Sequence, residues 1–182
     1  MNVPELETPK LKFIGLNEGH LNDLFNIFKD EESMKYWASF PHKNIEETKS
    51  LFELLEKRIK NNNGMCWGLT TKETPQNVIG FLTYNIYKKN GTAVIGYILS
   101  RQYWNKGIMT EALKTLVEFG FSNLEVHRIE ATVHPGNIAS EKLLQKIGFE
   151  REGMLRERVY YKGKHQDCIY YGILKTDKRD KT

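Results

Sequence analysis

Between Met65 and Val133 the apolar period changes from two to about 3.6 and back with no linker between segments, which excludes an all-helical or an all-strand fold. Met65–Thr71 and Val78–Tyr87 alternate and are rich in β-formers. With Thr74-Pro75-Gln76-Asn77 between them, they predict an antiparallel hairpin. Lys89-Asn90-Gly91 then turns the chain into a third strand, Thr92–Ser100. A helix is expected from about Asn105 to Phe121, a strand over Arg128–Val133, a helix over Asn137–Ile147, and a last pair of strands joined near Lys162-Gly163.

Upstream, Leu11–Leu16 reads as a short strand, and Asn17 caps a helix whose Leu21, Leu24, Phe25 and Phe28 keep helical spacing. Asp30–Phe40 is irregular. Asn44 followed by Glu47 then opens a second helix carrying Leu51, Leu54, Leu55 and Ile59, which Asn61-Asn62-Asn63-Gly64 ends. The order β-α-α-β-β-β-α-β-α-β-β is an α+β class: a mostly antiparallel mixed sheet of about seven strands flanked by about four helices.

A chain of 182 residues without a repeat or linker fits one domain, 1–182, with a core over about 11–174, a short flexible N-terminus and a basic tail. Lys175, Lys178, Arg179 and Lys181 in that tail read as a solvated end. Cys66 and Cys168 are far apart and outside any metal-binding spacing, so both are expected as reduced thiols. Met1–Lys10 lacks the apolar core of a signal peptide, and no run approaches the roughly 20 apolar residues of a membrane span. A cytoplasmic protein without a membrane partner is expected. The net charge of +4 comes from 27 basic and 23 acidic residues that are interspersed, and no stacking motif appears, so nucleic acid is not an expected partner. The histidines, His20, His42, His127, His134 and His165, form no metal-binding pair, and no metal is expected.

The junction Ser100-Arg101-Gln102-Tyr103-Trp104-Asn105-Lys106-Gly107-Ile108-Met109-Thr110-Glu111-Ala112 passes directly from a strand into a helix. Helix-start N–H groups carry partial positive charge, and a glycine there lets an anion approach the main chain. Neither GxxxxGK[ST] nor GxGxxG is present, so this is neither a Walker loop nor a dinucleotide fingerprint. On spacing alone, a purely structural helix start remains open.

The run YWNKGIMTEAL after IGYILS, together with HRIEATVHPGNIASEKLLQKIGFEREGMLRE, resembles the GNAT superfamily of N-acetyltransferases, in particular its ribosomal-protein N-terminal acetyltransferase branch. The resemblance extends from about Leu11 to Leu174. It implies acetyl-CoA as cofactor, bound by Leu99, Ser100, Trp104, Asn105, Lys106, Gly107, Ile108, Met109, Thr110, Asn137, Ser140 and Lys146. On the family pattern Q/R-x-x-G-x-G/A, Trp104 stands in the first position and Met109 in the last, both departures, and Met109 is expected to alter approach of the second phosphate.

In the helix after Pro135-Gly136, Asn137 is the expected N-cap, and Ser140 begins a stripe continued by Leu143, Leu144 and Ile147. A hydroxyl on that face bonds either to the fold or to a ligand, since burial without a partner costs roughly 1–3 kcal/mol. The resemblance implies that Asn137 touches the pantetheine arm and that Ser140 protonates or stabilises the leaving thiolate, because Leu144 stands where many relatives have a tyrosine. The acceptor amine must lose a proton. Val159 occupies a position where one relative type has glutamate; Glu157, two residues earlier, is the candidate base, with surface exposure and a base acting through water left open.

Tyr36 and Trp37, with Phe40, lie where the family builds its acceptor pocket, although a place in the aromatic core is the role their type favours. Asp30, Glu31 and Glu32 either attract a cationic acceptor or simply end a helix. The implied activity is direct acetyl transfer to a primary amine, the N-terminal α-amine of a (ribosomal) protein. A small-amine acetyltransferase acting on a polyamine, amino acid analogue or antibiotic, and a non-catalytic acyl-CoA sensor, are the competing readings. Relatives include monomers and homodimers.

Overall fold

A computed structural model of the chain describes residues 3–61 and 64–177. Asn62 and Asn63 of the helix-ending run, the first two residues, and Lys178, Arg179 and Lys181 of the basic tail lie outside the described residues. Among the described residues there are eight strands and four α-helices: β1 Leu6–Glu7, β2 Leu11–Ile14, α1 Leu21–Phe28, α2 Ile45–Lys60, β3 Gly64–Thr71, β4 Gly80–Tyr87, β5 Thr92–Leu99, α3 Ile108–Asn123, β6 Arg128–Val133, α4 Ile138–Lys146, β7 Glu150–Tyr161 and β8 Lys164–Leu174. The strand order is β1-β2-β3-β4-β5-β6-β8-β7. No helix among the described residues is long and apolar enough to cross a membrane.

The chain divides into two compact units. The first holds residues up to Asn85 together with Gly96–Ile108, and the second holds Ile86–Ile95 and the residues from Met109 onward.

In the first unit β1 to β4 form an antiparallel meander, with Leu11↔Thr71 and Gly68↔Phe81 among its register pairs. The eighth strand, β1, falls where a flexible N-terminus is expected. Two residues carry no usable periodicity, and β1 is held by partners distant in sequence. Glu7 bridges Lys12 at 3.3 Å and Lys72 at 3.1 Å, and the Trp67 indole N–H donates to the Pro4 carbonyl at 2.7 Å.

α1 begins four residues after its expected cap. The Asn17 side chain accepts from the Gly19 N–H at 2.9 Å and His20 Nδ1 accepts from the Asn17 N–H at 3.1 Å, which closes a 3-10 turn over Glu18–His20 before the helix proper. At α2 the Asn44 side chain accepts from the Glu47 N–H at 3.1 Å, as the spacing predicts. Glu46 and Glu47 sit in its first turn and Lys57, Arg58 and Lys60 in its last, the order that complements the helix dipole.

The core of this unit contains Leu16, Leu24, Phe28, Met34, Phe52 and Phe81, all buried. Gly68 is required there: a Cβ would stand 2.7 Å from Leu16 Cδ2 and 3.1 Å from Val78 Cγ2. Gly68→Ala is expected to lower stability by about 2 kcal/mol, the usual cost of overpacking a filled core, read as a lower urea midpoint at unchanged m-value.

In the second unit the first half of β5 runs parallel to β6, from Thr92↔Arg128 to Ile95↔Ala131. Parallel neighbours need a crossover, and α3 supplies it, burying Ala112, Leu113, Leu116, Val117 and Phe121. β6 pairs antiparallel with β8, and β8 with β7. Arg128 on β6 is gripped by Glu130 at 2.7 Å and by both carboxylate oxygens of Glu152 on β7. That guanidinium holds the Glu152 carboxyl below its ordinary range.

Candidate active site

Within the first unit, β5 leads into the strand-to-helix junction. The Ser100 N–H donates to the Ile79 carbonyl at 2.8 Å, and Arg101–Tyr103 form a 3-10 turn closed by the Trp104 N–H on the Arg101 carbonyl at 3.1 Å. The Trp104 indole N–H donates back to the Leu99 carbonyl at 2.8 Å. Trp104, in the place of a glutamine or arginine, therefore braces the junction, and its indole N–H is committed to the fold. Lys106 lies over the Tyr103 ring, 5.5 Å from its centroid.

The helix expected from Asn105 begins at Ile108 instead. Asn105 and Gly107 have φ of +59° and +75°, left-handed values that interrupt a helix and that asparagine and glycine adopt at least cost. At Gly107 nothing lies within 4 Å of the position a Cβ would take, so that side of the backbone is open. The N–H groups at the start of α3, from Ile108 to Thr110, have no intrahelical acceptors. An open glycine ahead of such donors is suited to an anion.

Within the second unit, the Met109 side chain is buried, which turns its bulk inward along α3. The Asn137 side chain accepts from the Ser140 N–H at 3.3 Å, and Ser140 is half-buried in the first turn of α4. Leu144 is fully buried, and Lys146 is exposed at the end of α4. α4 is anchored by Glu141, whose carboxylate accepts from the Tyr171 hydroxyl at 2.8 Å. Glu157 stands exposed on β7 with φ +52°, its N–H bonded to Asp167 Oδ1 at 2.9 Å.

Sequence reasoning passed over His134, which links β6 to Pro135-Gly136. Its ring stacks on Tyr161 at 4.2 Å between centroids, and Nδ1 is buried with no hydrogen-bond partner among the described residues. The one available signal was its place between a strand end and a helix cap. Burial, with Lys162 adding to it, lowers the His134 pKa from 6.5; in the first unit burial lowers that of His42, against the nearby Glu47. A depressed folded pKa leaves stability intact above the unfolded value of 6.5 and removes it as pH falls below, because the unfolded chain takes up protons first. Calorimetry between about pH 7.5 and 5.5 should show a falling Tm, with a smaller fall in His134→Gln.

Tyr36 and Trp37 lie in the first unit, in the irregular segment between α1 and α2. Trp37 is half-buried and packs on Phe28 and Phe81 at 6.0 and 6.3 Å, while Lys35 covers the Tyr36 ring. An open cavity of about 740 Å3 adjoins this segment, with Lys29, Glu31, Lys43 and Glu47 on its walls beside Phe40 and His42. Its charges are mixed. The acidic trio Asp30, Glu31 and Glu32 is divided: Asp30 accepts from the Ser33 N–H at 2.8 Å and pairs with Arg101 at 3.7 Å.

The acetyltransferase (GNAT) domain profile matches residues 10–150. N-acetyltransferase p20 of Bacillus licheniformis is 32% identical over 94% of this chain and 98% of its own length. Among solved structures, a ribosomal-protein-S5-alanine acetyltransferase from Vibrio fischeri superposes with a TM-score of 0.81 at 23% identity, covering 96% of this chain and 98% of that one. A spermidine N-acetyltransferase from Vibrio cholerae, solved with CoA and spermine, gives a TM-score of 0.79 at 25% identity over 92% and 96%.

Proposed function

The chain belongs to the GNAT acetyltransferase family and is an acyltransferase that uses acetyl-CoA, and from that membership we propose that it acetylates the N-terminal α-amine of a protein, such as a ribosomal subunit. The observation that carries this choice of acceptor is the cavity walled by Phe40, His42 and the charged residues Lys29, Glu31, Lys43 and Glu47, whose lining does not include Tyr36 or Trp37. It is open and lined by both signs of charge, which suits the end of a polypeptide, whereas a polyamine calls for an enclosed acidic pocket. A small amine is the second reading, favoured by the 25% identity to the spermidine enzyme.

Acetyl-CoA supplies an activated acetyl thioester. In our reading the backbone of Asn105 to Thr110 holds its phosphates, with Leu99, Ser100, Lys106 and Lys146 beside the chain of the cofactor and Asn137 at the pantetheine. The open side of Gly107, which carries no side chain, and the burial of the Met109 side chain support this, since neither position obstructs the main-chain donors. Trp104 acts by keeping the junction in shape.

The acceptor amine attacks the thioester carbonyl directly, the C–N bond forms, the C–S bond breaks, and the thiolate leaves as CoA. Ser140 provides the hydroxyl that stabilises or protonates that sulfur. The burial of Leu144 supports this assignment, because a side chain at that position is enclosed in the core. The amine gives its proton to water, with Glu157 as the carboxylate that relays it onward. A relay on an exposed bulge is replaceable by solvent, so Glu157→Gln is expected to lower kcat/KM by less than about threefold, where loss of an essential base costs about 100-fold or more. We place the reaction in the cytoplasm. Cys66 and Cys168 are both buried and not joined in a disulfide, and burial pushes the Cys66 thiol up to about 12.

Thiol release from acetyl-CoA, measured against a panel of N-terminal peptides and small amines, tests the acceptor. Turnover confined to peptides supports the proposal; turnover with spermidine and none with peptides establishes the second reading.

A further inference from the structure

His42 stands just ahead of α2 in the first unit, and three contacts fix it there. Its backbone N–H donates to the Phe28 carbonyl at 2.9 Å, its ring lies 5.1 Å from the Phe28 ring between centroids, and its Nδ1 is 2.8 Å from the Thr48 hydroxyl oxygen on α2. The same side chain lines the cavity that holds Lys29, Glu31, Lys43 and Glu47. With Nδ1 turned to Thr48, the ring edge left for the cavity is the opposite one, which carries Nε2.

Thr48 decides which nitrogen holds the proton. It is 1% exposed, out of reach of solvent, and among the described residues its hydroxyl has no hydrogen-bond partner other than Nδ1. The usual outlet for a helical threonine is the carbonyl four residues back. Thr115 on α3 takes it, donating to the Glu111 carbonyl at 3.1 Å, and Thr48 does not. A proton on Nδ1 would leave the Thr48 O–H a buried donor without an acceptor, which costs its desolvation in full. The O–H therefore donates to Nδ1, and the proton of the neutral imidazole sits on Nε2. An imidazolium would break the same bond, because both its nitrogens are donors. Burial of the ring also favours the neutral form, against the nearby Glu47 carboxylate.

The cavity thus presents a neutral N–H donor of fixed direction among charged groups. These read different parts of a ligand. Glu31 and Glu47 meet positive charge, which a peptide N-terminus and a polyamine both bring. The N–H meets an acceptor oxygen. An α-amine of a protein is followed by an amide carbonyl, whereas a polyamine has no such oxygen and leaves a donor unpaired.

We infer that His42, held by Thr48 as its Nε2–H tautomer, reads the first carbonyl oxygen of a peptide acceptor and so selects peptide N-termini over polyamines. This role rests on the cavity receiving the acceptor, as proposed above.

Nitrogen-15 NMR of the full chain at about pH 7.5 is expected to show His42 with Nε2 protonated and Nδ1 bare, a readout that needs no acceptor. Kinetics then use a peptide substrate and the same peptide with an alkene in place of its first amide. The wild type should show a KM about tenfold higher for the alkene at similar kcat, the loss of one hydrogen bond. His42→Phe combined with Thr48→Val removes both bonding partners together and leaves no hydroxyl unpaired. It should raise the peptide KM about tenfold and leave that of the alkene within about twofold, so that the two acceptors converge. His42→Gln, which carries an N–H donor at the end of a side chain of similar reach, should keep the peptide KM within about threefold of the wild type. A proton on Nδ1, equal rises in KM for both acceptors, or a wild type indifferent to the missing carbonyl would each overturn the inference. A wild type that turns over small amines and no peptide would overturn it together with the acceptor reading, and is distinguished by that pattern.

Discussion

Gly107→Val is expected to raise the Kd for acetyl-CoA by about 30-fold or more, the equivalent of losing about 2 kcal/mol from one charge-assisted hydrogen bond between phosphate and main chain. Two separate effects converge on this position. At φ +75° a β-branched side chain is strained, which costs the fold about 1–2 kcal/mol. The added Cβ also enters space that is open in the folded chain, on the side from which an anion reaches the donors at the start of α3. Gly107→Asn separates the effects, because asparagine tolerates left-handed backbone. It should keep the thermal midpoint within a few degrees yet still weaken acetyl-CoA, measured by calorimetric titration. Wild-type affinity in both variants would show that the junction does not hold the phosphates.

Ser140→Ala is expected to lower kcat about 100-fold, at the lower end of what a positioned proton donor contributes, while the Kd for acetyl-CoA stays within about threefold. The helix cap uses the Ser140 backbone N–H on Asn137, which alanine keeps, and the thermal midpoint measured beside kcat separates the loss of chemistry from any loss of fold. Equal falls in kcat and kcat/KM would locate the hydroxyl's role in the transition state. A weakened Kd at unchanged kcat would make Ser140 a cofactor-holding residue and leave the departing thiolate without a donor from this helix.

The two helix caps show what a sequence states openly. Asn44 and Asn137 each cap a helix through a bond to a residue three places on, and both were legible because the partner lies within one turn. The hairpins were legible from period-two alternation between turn residues. Asn105 marks where that reading stopped. Helical spacing of apolar residues runs smoothly into it, but left-handed backbone at Asn105 and Gly107 delays α3 to Ile108, and a hydrophobic pattern does not encode the sign of φ. The roles of Trp104 and Met109 were hidden similarly. Their types were visible as departures from a pattern, but the indole's bond to Leu99 and the burial of the thioether appear only once the chain is folded.

The sequence by itself determined the succession of strands and helices, the caps, the position of the glycine that opens the junction, and the serine in the first turn of α4. All of these follow from interactions spanning four residues or fewer, whose geometry is set by backbone sterics and helical or strand period. Tertiary structure alone decided that Leu6–Glu7 is a strand, that Arg128 meets Glu152, and that His134 lies on Tyr161. Those outcomes depend on which strands become neighbours and in what register. A shift of one residue in register turns every side chain to the other face, so no local rule contains them.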